Sequence, residues 1–189
     1  MSSHNKNGTR DPRDFYATPA WCTEGLYKAL PDDFPRPTLD PCAGTGALCL
    51  VARCRGIEID GALAGVARDR GAKVIKGDGL HPRWNNQHIL MNPPYKDALR
   101  WVRQGVEEAE TCCALLRLGF LASAKRREFW TKYPPTHLIV LSSRPSFTPD
   151  GKTDSADYMW AVWQKGCEGH STQMKWIGKT NATLQIQML

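Results

Sequence analysis

The chain has 189 residues, 41% of them hydrophobic and 23% charged, with a formal net charge of +6. That length favours one domain with a well-buried core. No apolar stretch is long enough to cross a membrane, and residues 1–14 hold no apolar signal-peptide core, so the expected compartment is the cytoplasm. Seven cysteines and five histidines are scattered along the chain. None of the cysteines forms a Cys-x-x-Cys pair, so reduced, mostly buried thiols are expected and no metal site. The basic balance is compatible with a polyanionic partner. Its densest patch, Lys125-Arg126-Arg127 with Lys132, reads either as a solvated helix face or as a phosphate contact.

Residues 1–13 are polar and read as a flexible arm. Thr18-Pro19 is a fair helix start, with Trp21, Leu26 and Leu30 on the apolar face. Pro31 to Pro37 is a proline-rich connector. An alternation then begins: strands at 38–40, 56–60, 73–76, 89–91, 112–116, 137–141 and 158–163. Helices at 47–53, 63–70, 98–110 and 124–133 fall between them. Alternation of this kind predicts a doubly wound, mostly parallel sheet of seven strands with helices on both faces, in a single domain over 14–165. Residues 166–189 lose the pattern and read as a tail or an added edge strand.

Right-handed crossovers bring the carboxyl ends of parallel strands to one edge, where ligands bind near the switch in strand order. Asp40, Glu58, Asp78 and Asn92 all fall at or near such ends. The turn Asp40-Pro41-Cys42-Ala43-Gly44-Thr45-Gly46 has glycines where backbone must approach a ligand closely. It lacks the third glycine of a dinucleotide fingerprint and the Gly-Lys-Ser/Thr of a phosphate loop. Cys42 reads as a small spacer. A carboxylate at Glu58 suits both hydroxyls of a ribose. Asp60 competes for that role or caps the next helix. Asp78 is placed to accept from an adenine amino group, or else is a turn residue.

Asn92-Pro93-Pro94-Tyr95 follows the apolar run His88-Ile89-Leu90-Met91. The Asn92 side-chain oxygen and the Pro93 carbonyl can hold the two hydrogens of a planar amine, bending its nitrogen toward tetrahedral. The prolines fix the loop beforehand, and Tyr95 offers a stacking face. No strong base is needed at the start, since the proton can leave after the methyl arrives. Together with the glycine turn this points to methyl transfer from S-adenosylmethionine to an amino nitrogen, leaving S-adenosylhomocysteine.

The order Phe15-Tyr16-Ala17-Thr18-Pro19, Asp-Pro-Cys-Ala-Gly-Thr-Gly, Gly56-Ile57-Glu58-Ile59-Asp60, Gly77-Asp78-Gly79 and Asn-Pro-Pro-Tyr resembles class I S-adenosylmethionine-dependent amino methyltransferases. With Arg144-Pro145-Ser146-Phe147 and Asp157-Tyr158-Met159-Trp160, it is similar more narrowly to the phage-type (Dam-type) DNA N-6-adenine methyltransferases, over about residues 14 to 165. The resemblance implies a Rossmann-like fold, DNA as the partner and a bacterial or phage-infected cell as the setting. It places Tyr16, Thr18 and Pro19 against the methionine part of the cofactor, and Asp40, Ala43, Gly44 and Gly46 around its amino group and backbone. Glu58 would bind ribose and Asp78 the cofactor adenine. Asn92, Pro93, Pro94 and Tyr95 would hold a flipped target adenine, with Phe147 at its edge. Arg126, Arg127 and Arg144 are candidate phosphate contacts. No separate target-recognition domain is visible, so specificity is loose, read by the 142–157 loop, or dependent on a dimer; monomer and homodimer both stay open. RNA adenine and protein glutamine pose the same amine problem and stay open as alternative substrates.

Overall fold

The computed structural model describes residues 17–147, 153–167 and 171–179. The arm expected at 1–13, Tyr16 and part of the 142–157 loop lie outside these. Among the described residues, one eight-stranded sheet carries five α-helices.

The order along the chain is α1 (Ala20–Ala29), β1 (Leu39–Asp40), α2 (Ala47–Ala52), β2 (Arg55–Glu58), α3 (Gly61–Asp69), β3 (Val74–Lys76) and β4 (His88–Met91). There follow α4 (Ala98–Glu108), β5 (Thr111–Arg117), α5 (Arg127–Lys132), β6 (His137–Leu141), β7 (Tyr158–Gln164) and β8 (Gln173–Ile177). The strands lie in the order β3-β2-β1-β4-β5-β7-β6-β8. β7 runs antiparallel to both its neighbours, and the other pairs are parallel. The count differs from the expected seven because Gln173–Ile177 adds an edge strand beside β6. That strand alternates poorly: only Ile177 is buried. The predicted helix at 124–133 splits into a 3-10 turn, Ala124–Arg126, and the shorter α5.

The two faces of the central strands follow the two-residue period of a strand. Leu90, Cys113, Leu115, Ile139 and Trp160 face α1, where they meet Cys22, Leu26 and Ile177. Ile89, Met91, Cys112, Ala114, Leu116 and Met159 face α4 and α5, where they meet Trp84, Val102 and Phe129. The adjacent Cys112 and Cys113 therefore sit on opposite sides of the sheet, and all seven cysteines are free. Trp84 is fully buried in the segment between β3 and β4, its indole N–H donating to the Gly79 carbonyl at 2.9 Å. Truncating a side chain of this size in a core costs about 3–5 kcal/mol.

β1 pairs with β2 on one side and β4 on the other. The crossovers thus reverse direction between β1 and β4, and a crevice opens above their carboxyl ends. Asp40 ends β1, and Asn92 follows β4 directly.

Candidate active site

The crevice is a cavity of about 430 Å³. The glycine turn after β1 contributes Asp40, Pro41, Cys42, Ala43 and Gly44, and the end of β2 contributes Glu58, Ile59 and Asp60. Asp78 and Gly79 follow β3; Asn92, Pro94, Lys96 and Asp97 follow β4; Trp101 projects from α4 and Thr18 precedes α1. Five carboxylates and one ammonium line a single cavity in a chain of net charge +6. Such a chamber favours a cation and repels an anion.

The glycine turn is tied to the strand beside it. The Gly44 N–H donates to Glu58 Oε2 at 2.7 Å, and the Asp60 N–H donates to Oε1 at 2.8 Å. Both oxygens of the buried Glu58 carboxylate are held in place, each with a lone pair left for a ligand hydroxyl. Asp60 takes the capping role: its carboxylate accepts from the Ala62 and Leu63 N–H groups at the start of α3. Gly44 and Gly46 both adopt positive φ, at 54° and 77°. Their surroundings differ. Gly44 lines the cavity, whereas a Cβ on Gly46 would meet Ala72 and Ala67, so Gly46 serves the packing of the turn on α3 and not the cavity wall. A Cβ on Gly79 would collide with the Pro41 carbonyl. The turns after β1 and β3 therefore touch backbone to backbone.

Asp40 is 1% exposed, and burial pushes its carboxyl up to about 7 despite the Cys42 N–H that donates to it at 3.1 Å. A buried carboxyl without a cationic partner rises in this way, and a cation placed beside it reverses the shift. Burial, with the nearby Asp40 and Glu58 charges, also holds the Cys42 thiol well above its ordinary value. It is a protonated spacer and no nucleophile. Asp78 is exposed at the rim, one oxygen accepting from the Leu80 N–H at 3.0 Å.

The amide of Asn92 has a defined orientation. Its Nδ2 donates to the buried Thr18 Oγ1 at 3.0 Å, which turns Oδ1 toward the Tyr95 hydroxyl, a donor at 2.9 Å. An amide oxygen can accept two hydrogen bonds. The expected open stacking face of Tyr95 is covered. Tyr158 packs on it, tilted, at 5.8 Å, and the Arg117 guanidinium lies 4.7 Å from its ring centre. Phe147 is buried edge-on against Tyr158 at 5.1 Å. Pro19, Gly46, Pro93, Tyr95 and Phe147 are absent from the cavity wall, while Thr18, Asp40, Ala43, Gly44, Glu58, Asp78, Asn92 and Pro94 belong to it.

The three arginines expected at phosphates are placed differently from one another. Arg126 donates to the Phe120 and Gly119 carbonyls and stacks on the Phe120 ring, so it braces the segment after β5. Arg144 pairs with Asp157 at 2.8 Å on the surface. Arg127 is exposed at the start of α5. Ile59, Lys96, Asp97 and Trp101 escaped the sequence reading. Asp97 and Trp101 carried a signal, since a spacing of four on a helix shares one face. So did Ile59, an isoleucine between two carboxylates that is 68% exposed on the cavity.

Among the described residues no helix is long and apolar enough to cross a membrane, and no cluster of His, Cys, Asp or Glu is arranged to hold a metal.

No protein-family profile and no curated protein matches the chain by sequence. Solved structures do match it in shape. One is the methyltransferase subunit of a type I restriction-modification system from Streptococcus thermophilus, with 17% identity and a TM-score of 0.63 over 86% of this chain and 47% of that one. The chain thus spans about half the length of that subunit. A candidate class I S-adenosylmethionine-dependent methyltransferase from Listeria monocytogenes has 12% identity and a TM-score of 0.63, over 91% of this chain and 68% of that one. A candidate RNA methyltransferase from Pyrococcus horikoshii has 20% identity and a TM-score of 0.62, over 87% of this chain and 94% of that one. The chain therefore has the Rossmann-like fold of the class I S-adenosylmethionine-dependent methyltransferases.

Proposed function

We propose that the chain transfers a methyl group from S-adenosylmethionine to the exocyclic nitrogen of an adenine in DNA. The observation that carries this reading is the oriented amide of Asn92 in the wall of an acidic cavity at the sheet's switch point. The donor set fits the cofactor, which brings an ammonium and a sulfonium into a chamber of five carboxylates and one lysine. Asp40 would take the ammonium, and its proton would be lost in doing so. Glu58 would accept from the ribose hydroxyls, and Asp78 from the adenine amine. Ile59 and Trp101 give that ring apolar walls. When bound, the cofactor supplies an electrophilic methyl carbon.

The residues of the chain then act on the target amine. Asn92 Oδ1 accepts one amine hydrogen, and the Pro93 carbonyl accepts the other. The nitrogen is drawn out of conjugation and its lone pair faces the methyl carbon. The departing proton leaves after the new bond forms, so no group of high pKa has to remove it first. The Thr18 and Tyr95 bonds hold the amide before substrate arrives, and this preorganisation is the main source of rate.

The net charge of +6 and the resemblance of the sequence motifs support DNA as the polymer. The similarity in shape to a candidate RNA methyltransferase favours RNA adenine as the second reading. The test is incubation with methyl-labelled cofactor and DNA, RNA or a glutamine-containing protein, followed by hydrolysis and mass spectrometry. Labelled N6-methyladenine from DNA is expected. Label confined to RNA or protein rejects the DNA reading.

A further inference from the structure

Resting on that reading, we propose that Arg117 is a plug: in the ligand-free protein its guanidinium lies on the ring of Tyr95 where the target base stacks, and insertion of the base displaces it.

Among the described residues, Tyr158 and Arg117 lie on the ring of Tyr95. Tyr158 starts β7, is fully buried, and donates its hydroxyl to Asp154 Oδ2 at 2.6 Å. It is locked between the β5 pairing and the apolar cluster around Trp160 and Phe147. Arg117 is the last residue of β5, and its side chain is 31% exposed. Its contacts other than the stack are long: Nε to the Tyr158 hydroxyl at 3.4 Å and Nη2 to Asp154 Oδ2 at 3.8 Å. Tyr158 cannot leave without opening the core, whereas the arginine can.

A guanidinium is flat and delocalised and stacks on aromatic faces as a base does. Its contact with a tyrosine face is of the same order as a base stacked on an aromatic ring. The exchange of one for the other is therefore close to balanced and reversible. The stem of Arg117 is anchored by strand pairing to Tyr158. The displaced head can swing on its methylenes and keep its pairing with Asp154. Burial of its charge is outweighed by the Tyr158 hydroxyl and Asp154, which raise its pKa, so it is a cation in either position.

The test uses the intact protein labelled at arginine Nε and an oligonucleotide with 2-aminopurine at the target position. The Arg117 resonance is identified by its loss in Arg117→Lys. It is expected to carry a ring-current shift from Tyr95 in the free protein and with S-adenosylhomocysteine alone. Adding the oligonucleotide should quench 2-aminopurine and return Arg117 to an unstacked position in the same titration. Quenching with Arg117 unmoved overturns the plug, as does methylation of the matching adenine oligonucleotide when its 2-aminopurine counterpart is not quenched. Absence of both quenching and methyl transfer to any adenine substrate rejects the proposed function itself, a separate outcome. In Arg117→Lys, which keeps the charge and loses the flat stack, KM for the matching adenine oligonucleotide should fall roughly threefold, the scale of an exposed cation–π contact. Cofactor affinity and kcat should hold. A rise in KM overturns the proposal.

Discussion

On one side of Asn92 lies a cavity of about 430 Å³ walled by carboxylates; on the other, Tyr95, Tyr158 and Phe147 close together under Arg117. The cofactor side is built from turns whose carboxylates are pinned by backbone N–H groups, so its walls are fixed by the turns themselves. The target side is built from aromatic rings, and rings without a guest stack on one another. The difference implies an order of events. On the proposed reading, the cofactor enters a formed site, and the base must compete for an occupied one.

The largest expected effect tests the boundary between the sides. Asn92→Ala should lower methyl transfer by about 10²–10³-fold, the scale of one preorganised acceptor. Calorimetry should find cofactor binding little changed. Equal loss of both would mean that Asn92 belongs to the cofactor side alone. Asp40→Asn probes the open side. It should weaken S-adenosylmethionine binding by about 100-fold, the scale of a truncated buried charge pair. Next comes Gly79→Ala, which forces the turns after β1 and β3 apart. It should destabilise the fold by about 3 kcal/mol in thermal unfolding.

A pH series sharpens the same point. The Asp40 carboxyl is raised to about 7 in the ligand-free protein, and only the carboxylate pairs with an ammonium. Cofactor affinity should therefore fall by up to about tenfold per pH unit below 7 and level off above it, and Asp40→Asn should flatten the profile. The linkage to folding has the opposite sign. A raised carboxyl favours the protonated fold, so ligand-free stability should decline as pH rises from the ordinary carboxylate range through 7. Denaturant midpoints of wild type and Asp40→Asn at pH 5 and 8 check this. The smallest effect is expected outside both sides. Arg144→Ala removes an exposed ion pair with Asp157 and should cost less than about 1 kcal/mol.

Much of this arrangement was legible from local pattern. Short apolar runs alternating with helical segments marked the central strands, and a polar residue just past a buried strand marked the sheet edge, which is why Asp40, Glu58, Asp78 and Asn92 were found together. What the pattern does not encode is the direction of side chains in loops. Tyr95 read as a stacking face and Phe147 as an edge contact to the target base, but each lies against Tyr158, over 60 and 10 residues away respectively, and that contact depends on β5, β6 and β7 meeting. Gly46 read as a ligand-facing glycine because its turn holds two; the neighbour that demands it, Ala72, comes from beyond α3. The edge strand β8 stayed open between tail and strand because its apolar residues Met174 and Trp176 lie exposed and mark no core.

The acidity of the cavity has a metabolic consequence. Adenosine triphosphate shares the adenosine half of the methyl donor and outnumbers it in most cells. In a chamber lined by Asp40, Glu58, Asp60, Asp78 and Asp97, a polyphosphate meets like charge at close range, where Coulomb repulsion is least screened. Discrimination between two adenosine-bearing metabolites then comes from the sign of the tail and needs no contact that reads its shape.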